Sequence, residues 1–143
     1  MKRKLVVVLA SLGALLCVLS CSCAPTEASV EVSCDDFGAL EHVSKEVVVA
    51  VGGTVTVTVC SNPTTGFQWA EAEIGDDAVL EQRDRQFIAP EAKPPLPPGS
   101  PGKEVWTFTA LKKGTSTVSF EYGQLWEGGE KAGWTLDLTV VVK

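Results

Sequence analysis

The sequence TVTVTVCSNPTTGFQW, residues 54–69, predicts a strand, a sharp turn and the start of a second strand. Valine and threonine alternate over residues 54–59, which is the period-two pattern of a strand with one buried face. Asn62-Pro63 is a turn-opening pair, because the proline ring fixes φ at Pro63 and pushes Asn62 toward an extended conformation. Gly66 can adopt a positive φ, which lets the chain reverse before Phe67. We therefore predict a strand-loop-strand corner with a small, polar and stiff tip.

Local chemistry leaves two interpretations of this corner. It is either an ordinary turn of a β protein or a recognition loop. A stiff tip loses little conformational entropy when a partner binds it, which favours recognition over a flexible linkage.

The same period-two alternation recurs in three later segments. In each, every second residue forms one face, from Trp106 to Ala110, from Ser116 to Tyr122 and from Trp134 to Val142. Phe67 and Trp69 alternate in the same way, and we expect these rings to fill the space between two sheets. Short strands separated by regularly spaced turns predict an all-β fold. The fold class is an immunoglobulin-like antiparallel β-sandwich of about seven to eight strands.

Two other segments support local predictions. Gly52-Gly53, between an apolar run and the strand at 54–59, is predicted to be the turn of a β-hairpin. Residues 76–85 are the nearest candidate for a helix, but Val79 and Leu80 fit a strand equally well. No segment shows a convincing helical stripe.

Residues 1–20 have the pattern of an export signal. Lys2, Arg3 and Lys4 precede the apolar run 5–19, which is short for a membrane span and typical of a secretory signal. The small residue Ser20 before Cys21 resembles the lipobox of bacterial lipoproteins, so we predict that Cys21 carries the lipid. The alternatives are an uncut membrane anchor, a plain secretory signal, or lipidation at Cys23, where Ser20 stands in place of the usual aliphatic residue.

This signal implies a division of the chain into three parts. Residues 1–20 are the predicted signal peptide, 21–30 a mobile lipidated tether, and 31–143 one domain with its own core. We expect the domain to lie outside the cytoplasm, anchored to the outer membrane or surface of a bacterial cell.

The charge balance limits the partners of the exported chain. Residues 1–20 hold three of the 12 basic residues and none of the 18 acidic ones, so the remainder carries a formal charge of −9. A body this acidic argues against nucleic-acid binding, which needs a basic face. Contact with a membrane is expected through the lipid anchor only.

Three cysteines remain outside the signal and the lipid site. An exported domain can keep disulfides, and a Cys34–Cys60 bridge would tie the start of the domain to the strand before Asn62. Cys23 would be left over in the tether. No cysteine and histidine cluster suggests a metal site, and His42 is the only histidine. No cofactor is expected, and a catalytic Cys34 or Cys60 with His42 is a poor hypothesis because it requires an unbridged thiol.

Two further irregular segments interrupt the strand pattern. Residues 90–102 contain six of the eight prolines and cannot pair inside a sheet. A connection this long is usually functional or disordered, and its prolines make it semi-rigid. Trp126 lies between glycines in the last connection, 123–129. This ring is suited to binding a partner, or else it folds back over the edge of the sandwich.

The order and content of these three loops resemble the chagasin family of cysteine-protease inhibitors. The first loop matches the family's NPTTG motif fully and continues with the usual aromatic residue; the second corresponds to a glycine-rich loop; the third keeps only the tryptophan of an RPW motif. The corresponding residues are Asn62, Pro63, Thr64, Thr65, Gly66 and Phe67; Gly99, Ser100, Pro101 and Gly102; and Gln124, Leu125 and Trp126. The resemblance extends over about 110 residues, from near Cys34 to Lys143.

The resemblance implies a function and a mechanism. In that family the three loops form a wedge that enters the active-site cleft of papain-like peptidases. It implies a monomeric, reversible and noncovalent inhibitor rather than an enzyme. Two departures bear on affinity and target choice: Gln124 and Leu125 replace arginine and proline, and Pro101 replaces a small residue. The alternative from another class is a non-inhibitory envelope lipoprotein whose immunoglobulin-like module binds a protein or a glycan.

Overall fold

The computed structural model describes residues 23–91 and 93–143. The predicted signal peptide and lipid site, residues 1–20 and Cys21, lie outside them. The described chain contains nine strands and one short α-helix. These are β1 (Glu27–Val32), α1 (Cys34–Ala39), β2 (His42–Val49), β3 (Thr54–Ser61), β4 (Gln68–Trp69), β5 (Glu73–Ile74), β6 (Leu80–Ile88), β7 (Gly102–Ala110), β8 (Gly114–Gly123) and β9 (Trp134–Val142).

The strands form two sheets packed face to face, which confirms the predicted β-sandwich. One sheet has the order β1-β3-β7-β6, and the other has the order β2-β9-β8-β4, with β5 also paired to β8. The core lies between them. It contains the apolar faces that alternation predicted, including Val55, Val57 and Val59 of β3, all fully buried.

Strand pairing differs from the prediction in two places. β1 pairs with β3, and β2 pairs with β9, in parallel rather than antiparallel register. Gly52-Gly53 does not form a hairpin turn, because β2 and β3 belong to different sheets. That prediction was wrong. Alternation shows which face of a strand is buried and carries no information on which strand lies beside it.

A six-residue helix, α1, is a feature that the hydrophobic pattern did not reveal. Ser33 caps it in a capping box, in which the Asp36 amide donates to the Ser33 hydroxyl and the Asp36 carboxylate accepts from the Ser33 amide. The Ser33 hydroxyl also donates to this carboxylate at 2.7 Å, and this bond first, then the bond from the amide, lowers the pKa of Asp36. The helix buries Phe37 completely.

The predicted Cys34–Cys60 disulfide is present and joins α1 to the end of β3, with 5.1 Å between the two Cα atoms. Cys23 is free and exposed. The tether prediction was wrong for residues 27–30, which lie in β1, and the Ala50 and Thr54 amides already bond the carbonyls of residues 25 and 26. In the part of the chain described, no helix has the length and apolar character to cross a membrane.

Candidate functional site

Three connections meet at one end of the sandwich. We call them the NPTTG loop (62–67), between β3 and β4; the proline loop (89–101), between β6 and β7; and the Trp126 loop (124–133), between β8 and β9. The register places them together. Ser61 at the end of β3 pairs with Gly102 at the start of β7, and Gln68 pairs with Gly123 at the end of β8.

The NPTTG loop is a compact turn organised by Asn62. Pro63–Thr65 form one turn of 3₁₀ helix, and Gly66 ends it in the left-handed region with φ of 81°. The Asn62 carbonyl accepts from the Thr65 hydroxyl at 2.7 Å, and the Asn62 side-chain oxygen accepts from the Thr64 hydroxyl at 2.6 Å. Both threonine hydroxyls therefore fix the loop, while the two residues themselves are exposed.

The base of this loop rests on buried aromatic residues. Trp69 is 1% exposed and donates its indole N–H to the Cys60 carbonyl at 2.8 Å. Tyr122 on β8 accepts the Asn62 amide at 2.9 Å through its hydroxyl. Trp69 and Tyr122 pack against each other with ring centroids 5.0 Å apart. The loop is thus attached to the opposite sheet by hydrogen bonds that the core holds in place.

Asn62 also connects the NPTTG loop to the proline loop. Its side-chain amide donates to the Gly99 carbonyl at 2.8 Å. Gly99 has φ of 81°, and the Ser100 amide bonds the Pro97 carbonyl at 3.2 Å. Proline second and glycine third are the residues that a type II turn prefers, so the local sequence accounts for this conformation.

The Trp126 loop is closed by its own polar groups. The Gln124 amide donates to the Glu130 carbonyl at 2.6 Å, and the Gln124 side chain accepts from the Glu130 amide at 3.0 Å. The Lys131 ammonium donates to the carbonyls of Gln124 at 2.5 Å and Trp126 at 2.8 Å. Lys131 therefore ties together the two sides of the loop that displays Trp126.

The Trp126 ring lies against Gly66. A Cβ atom placed on Gly66 would be 2.8 Å from Cη2 of this ring, so a larger residue there would require the ring to shift. Trp126 is nevertheless 50% exposed, and its neighbour Leu125 is also 50% exposed. The ring is therefore positioned by the NPTTG loop while half of its surface faces solvent.

The three predicted groups of residues are brought together, although two of the predicted contact residues, Gly102 and Gln124, offer little free surface to a partner. Gly102 is buried at the start of β7, where a Cβ would collide with Phe87 and the Ile88 carbonyl. The Gln124 side chain is used inside its own loop. Exposed surface comes from Pro63, Thr64, Thr65, Pro101, Leu125 and Trp126, as well as Gly99.

Sequence reasoning missed Tyr122 as the brace of the NPTTG loop and Lys131 as the clamp of the Trp126 loop. Alternation placed Tyr122 on the buried face of its strand but gave no partner for its hydroxyl. No sequence pattern marks Lys131, five residues after Trp126, as a partner of that loop. Only the fold shows that its ammonium reaches two carbonyls.

Replacing Tyr122 with phenylalanine removes the acceptor of the Asn62 amide and keeps the ring. We expect the free energy of unfolding to fall by about 1 kcal/mol, as for a typical hydrogen bond. If the chain inhibits a peptidase, as the resemblance implies, inhibition should weaken about three- to tenfold, because the loop is less ordered before binding. Ser119→Ala is the matched control, since it removes a hydrogen bond to Asp137 on an outer face. Equal effects of both variants on inhibition would contradict the role of Tyr122.

The described residues do not support the alternative in which Cys34 or Cys60 acts as a catalytic nucleophile with His42. Cys34 and Cys60 are bonded to each other, so neither presents a free thiol. His42 pairs through Nδ1 with the Thr135 hydroxyl at 2.8 Å. Within residues 23–91 and 93–143, no three histidine, cysteine, aspartate or glutamate side chains gather as metal ligands.

Comparison with known proteins yields one family and several solved structures. The family model described as "Chagasin family peptidase inhibitor I42" matches residues 48–140. The crystal structure of the cysteine protease inhibitor EhICP2 from Entamoeba histolytica matches with 19% identity and a TM-score of 0.65, over 84% of this chain and 100% of that one. The solution structure of Amebosin matches with 20% identity and a TM-score of 0.52, over 82% and 98%.

A third similar structure is PbICP-C, solved in complex with falcipain-2. It has 13% identity and a TM-score of 0.52, over 81% of this chain and 99% of that one. At these identities the likeness is one of fold. No curated protein sequence matches the chain.

Proposed function

The chain belongs to the chagasin family of peptidase inhibitors, which are not enzymes, and from this premise we propose that it inhibits papain-like cysteine peptidases by inserting its three loops into their active-site cleft. One observation carries the proposal. Asn62 bonds the proline loop, and Gly66 carries the Trp126 ring, so the three loops form one connected surface. We call this the three-loop surface.

The NPTTG loop is suited to fill a cleft without being cut. Its tip is made of Pro63, Thr64 and Thr65 in a 3₁₀ turn, whereas attack by a cysteine nucleophile needs a carbonyl presented for the reaction. A turn held by internal hydrogen bonds does not offer that extended geometry. The proposed inhibition is therefore reversible and noncovalent, with one inhibitor monomer per peptidase.

Trp126 and the proline loop would contact the two sides of the cleft. A half-exposed tryptophan on a fixed support can bury large apolar area at little ordering cost. The Lys131 bonds constrain the loop that lacks the proline of the RPW motif, which supports the same role for Trp126 despite the departures at Gln124 and Leu125.

We infer the class of the partner from the fold and the family. PbICP-C, a protein of the same fold, was solved in complex with falcipain-2. For this chain we propose a papain-like cysteine peptidase as the partner. The reason is that the first loop, Asn62 to Gly66, matches the family's NPTTG motif completely.

We also propose that the domain is held in the bacterial envelope by a lipid on Cys21. The direction of the first strand is consistent with this. β1 starts at Glu27, which pairs with Thr54 at the beginning of β3. The NPTTG loop follows Ser61 at the other end of that strand. A chain tethered through its N-terminus would therefore direct the three-loop surface away from the membrane.

A peptidase whose catalytic cysteine has been replaced by alanine tests the noncovalent mechanism. We expect it to bind the inhibitor with an affinity similar to that of the active enzyme, because no bond to the nucleophile is formed. Calorimetry measures both affinities, and dilution of the active complex should restore activity. A covalent adduct, or binding that requires the intact thiolate, would contradict the mechanism.

A further inference from the structure

A cavity of about 440 Å³ lies beside the NPTTG loop, next to the disulfide. Its walls include the rings of Phe67, Tyr122 and Trp134 and the Cys34–Cys60 bridge. Its volume is within the range of roughly 300–1,000 Å³ that is typical of sites for small ligands. It opens at the same end of the sandwich as the three-loop surface, because Asn62 and Thr65 form part of its lining.

Two acidic residues, Glu41 and Glu130, also line this cavity. Both residues are exposed, and neither forms an ion pair within the described residues. Lys131, the cation next in sequence to Glu130, is already bonded to two carbonyls of its own loop. The apolar walls are therefore bordered by two acidic residues that form no ion pair in the described part of the chain.

The other large groove on this side of the domain differs in that respect. It is lined by Glu31 and Lys103, which form an ion pair at 2.6 Å. The hydrogen bond from Lys103 to Glu31 raises the pKa of that lysine. Glu91 also lines that groove, so its formal charge is −1, compared with −2 from Glu41 and Glu130 in the cavity, and it offers less attraction to a cation.

Apolar walls with unpaired carboxylates match one kind of side chain. A purely apolar group would contact the walls but leave Glu41 and Glu130 unpaired, and an anion would be repelled. Lysine and arginine combine an aliphatic stem with a cationic end, so they satisfy both features. The acidic balance of the whole chain also favours a basic partner surface.

We propose that this cavity receives a lysine or arginine side chain of the peptidase, from the rim of the cleft that the three-loop surface enters. The identity of the partner rests on the proposed function; the preference of the cavity for a cation does not. Occupation would also contact Tyr122, which holds the Asn62 amide, so the bound side chain would buttress the NPTTG loop from behind.

The first test uses a small probe and no peptidase. N-acetyl-arginine amide is titrated into the purified protein, and N-acetyl-citrulline amide serves as its uncharged analogue. We expect the arginine probe to shift the NMR signals of the Trp134 indole and of the Gly133 and Cys60 amides. The affinity obtained from these shifts should be at least about fivefold lower for the citrulline probe. The double variant Glu41→Gln/Glu130→Gln should remove this difference. Equal shifts from both probes, or shifts only elsewhere, would overturn the proposal.

The second test measures inhibition. Glu41→Gln/Glu130→Gln should weaken inhibition of a papain-like peptidase about tenfold and make it less sensitive to salt, as expected for the loss of a charge pair. Glu46→Gln/Glu73→Gln is the matched control, because it also removes two exposed carboxylates, both outside the cavity lining and outside the three loops. Thermal unfolding checks that all variants are folded.

The outcomes separate this inference from the proposed function. If Trp126→Ala weakens inhibition while Glu41→Gln/Glu130→Gln matches Glu46→Gln/Glu73→Gln, the proposed function stands and the cationic site is wrong. If the unmodified protein inhibits no peptidase, the proposed function fails, and the arginine and citrulline titration alone decides whether the cavity selects a cation.

Discussion

Replacing Trp126 with alanine is expected to weaken inhibition of a papain-like peptidase by about 2 kcal/mol or more, which is about thirtyfold in the inhibition constant. The physical reason is the combination of support and exposure. Trp126 is 50% exposed, and one side of its ring packs against Gly66. Its apolar surface can therefore be buried by a partner at little cost in conformational entropy.

Leu111→Ala provides the control for this experiment. Leu111 is 40% exposed, and it follows β7 at the end of the sandwich opposite the three-loop surface. Its truncation removes exposed apolar area without touching the proposed contact, so the inhibition constant should stay unchanged. An inhibition constant for Trp126→Ala equal to that of Leu111→Ala would contradict the three-loop mechanism.

Removing the disulfide with Cys34→Ala/Cys60→Ala is expected to lower the free energy of unfolding by about 3 to 4 kcal/mol, the chain-entropy value for a loop of this length. The bridge closes a sequence separation of 26 residues. For a domain of this size the melting temperature should fall by about 10 °C or more. Urea and thermal unfolding of the two proteins measure the difference.

Cys23→Ala is the matched control for the disulfide, since Cys23 is free and exposed and its loss should not change stability. Inhibition should also weaken in the double variant, because Cys60 lies two residues before Asn62 and its carbonyl accepts the Trp69 indole. A loss of stability no greater than that of Cys23→Ala would show that the bridge does not brace the fold.

Sequence alone predicted the buried faces of the strands well. Alternation in residues 54–59 placed Val55, Val57 and Val59 in the core, and they are fully buried. The period of two is a local property of extended chains, so it can be read without knowing the fold. The disulfide was also predicted correctly, by pairing two of the three cysteines left after the signal and the lipid site.

Partners distant in the chain could not be predicted in this way. The parallel pairing of β1 with β3 and of β2 with β9 depends on how the sheets assemble. The hydrogen bond from the Asn62 amide to the Tyr122 hydroxyl joins residues 60 positions apart, and the sequence around either residue does not indicate it. Helix α1 is too short for a helical stripe, although Ser33 and Asp36 at capping-box spacing were a signal that could have been used.

Titration of a papain-like cysteine peptidase with the purified protein tests the central claim most directly. We predict a loss of activity that reaches completion at one inhibitor per enzyme, is competitive with substrate, and reverses on dilution with the inhibitor uncleaved. Undiminished activity at micromolar inhibitor across several papain-like enzymes, or cleavage of the NPTTG loop, would contradict it and favour a binding module of another kind.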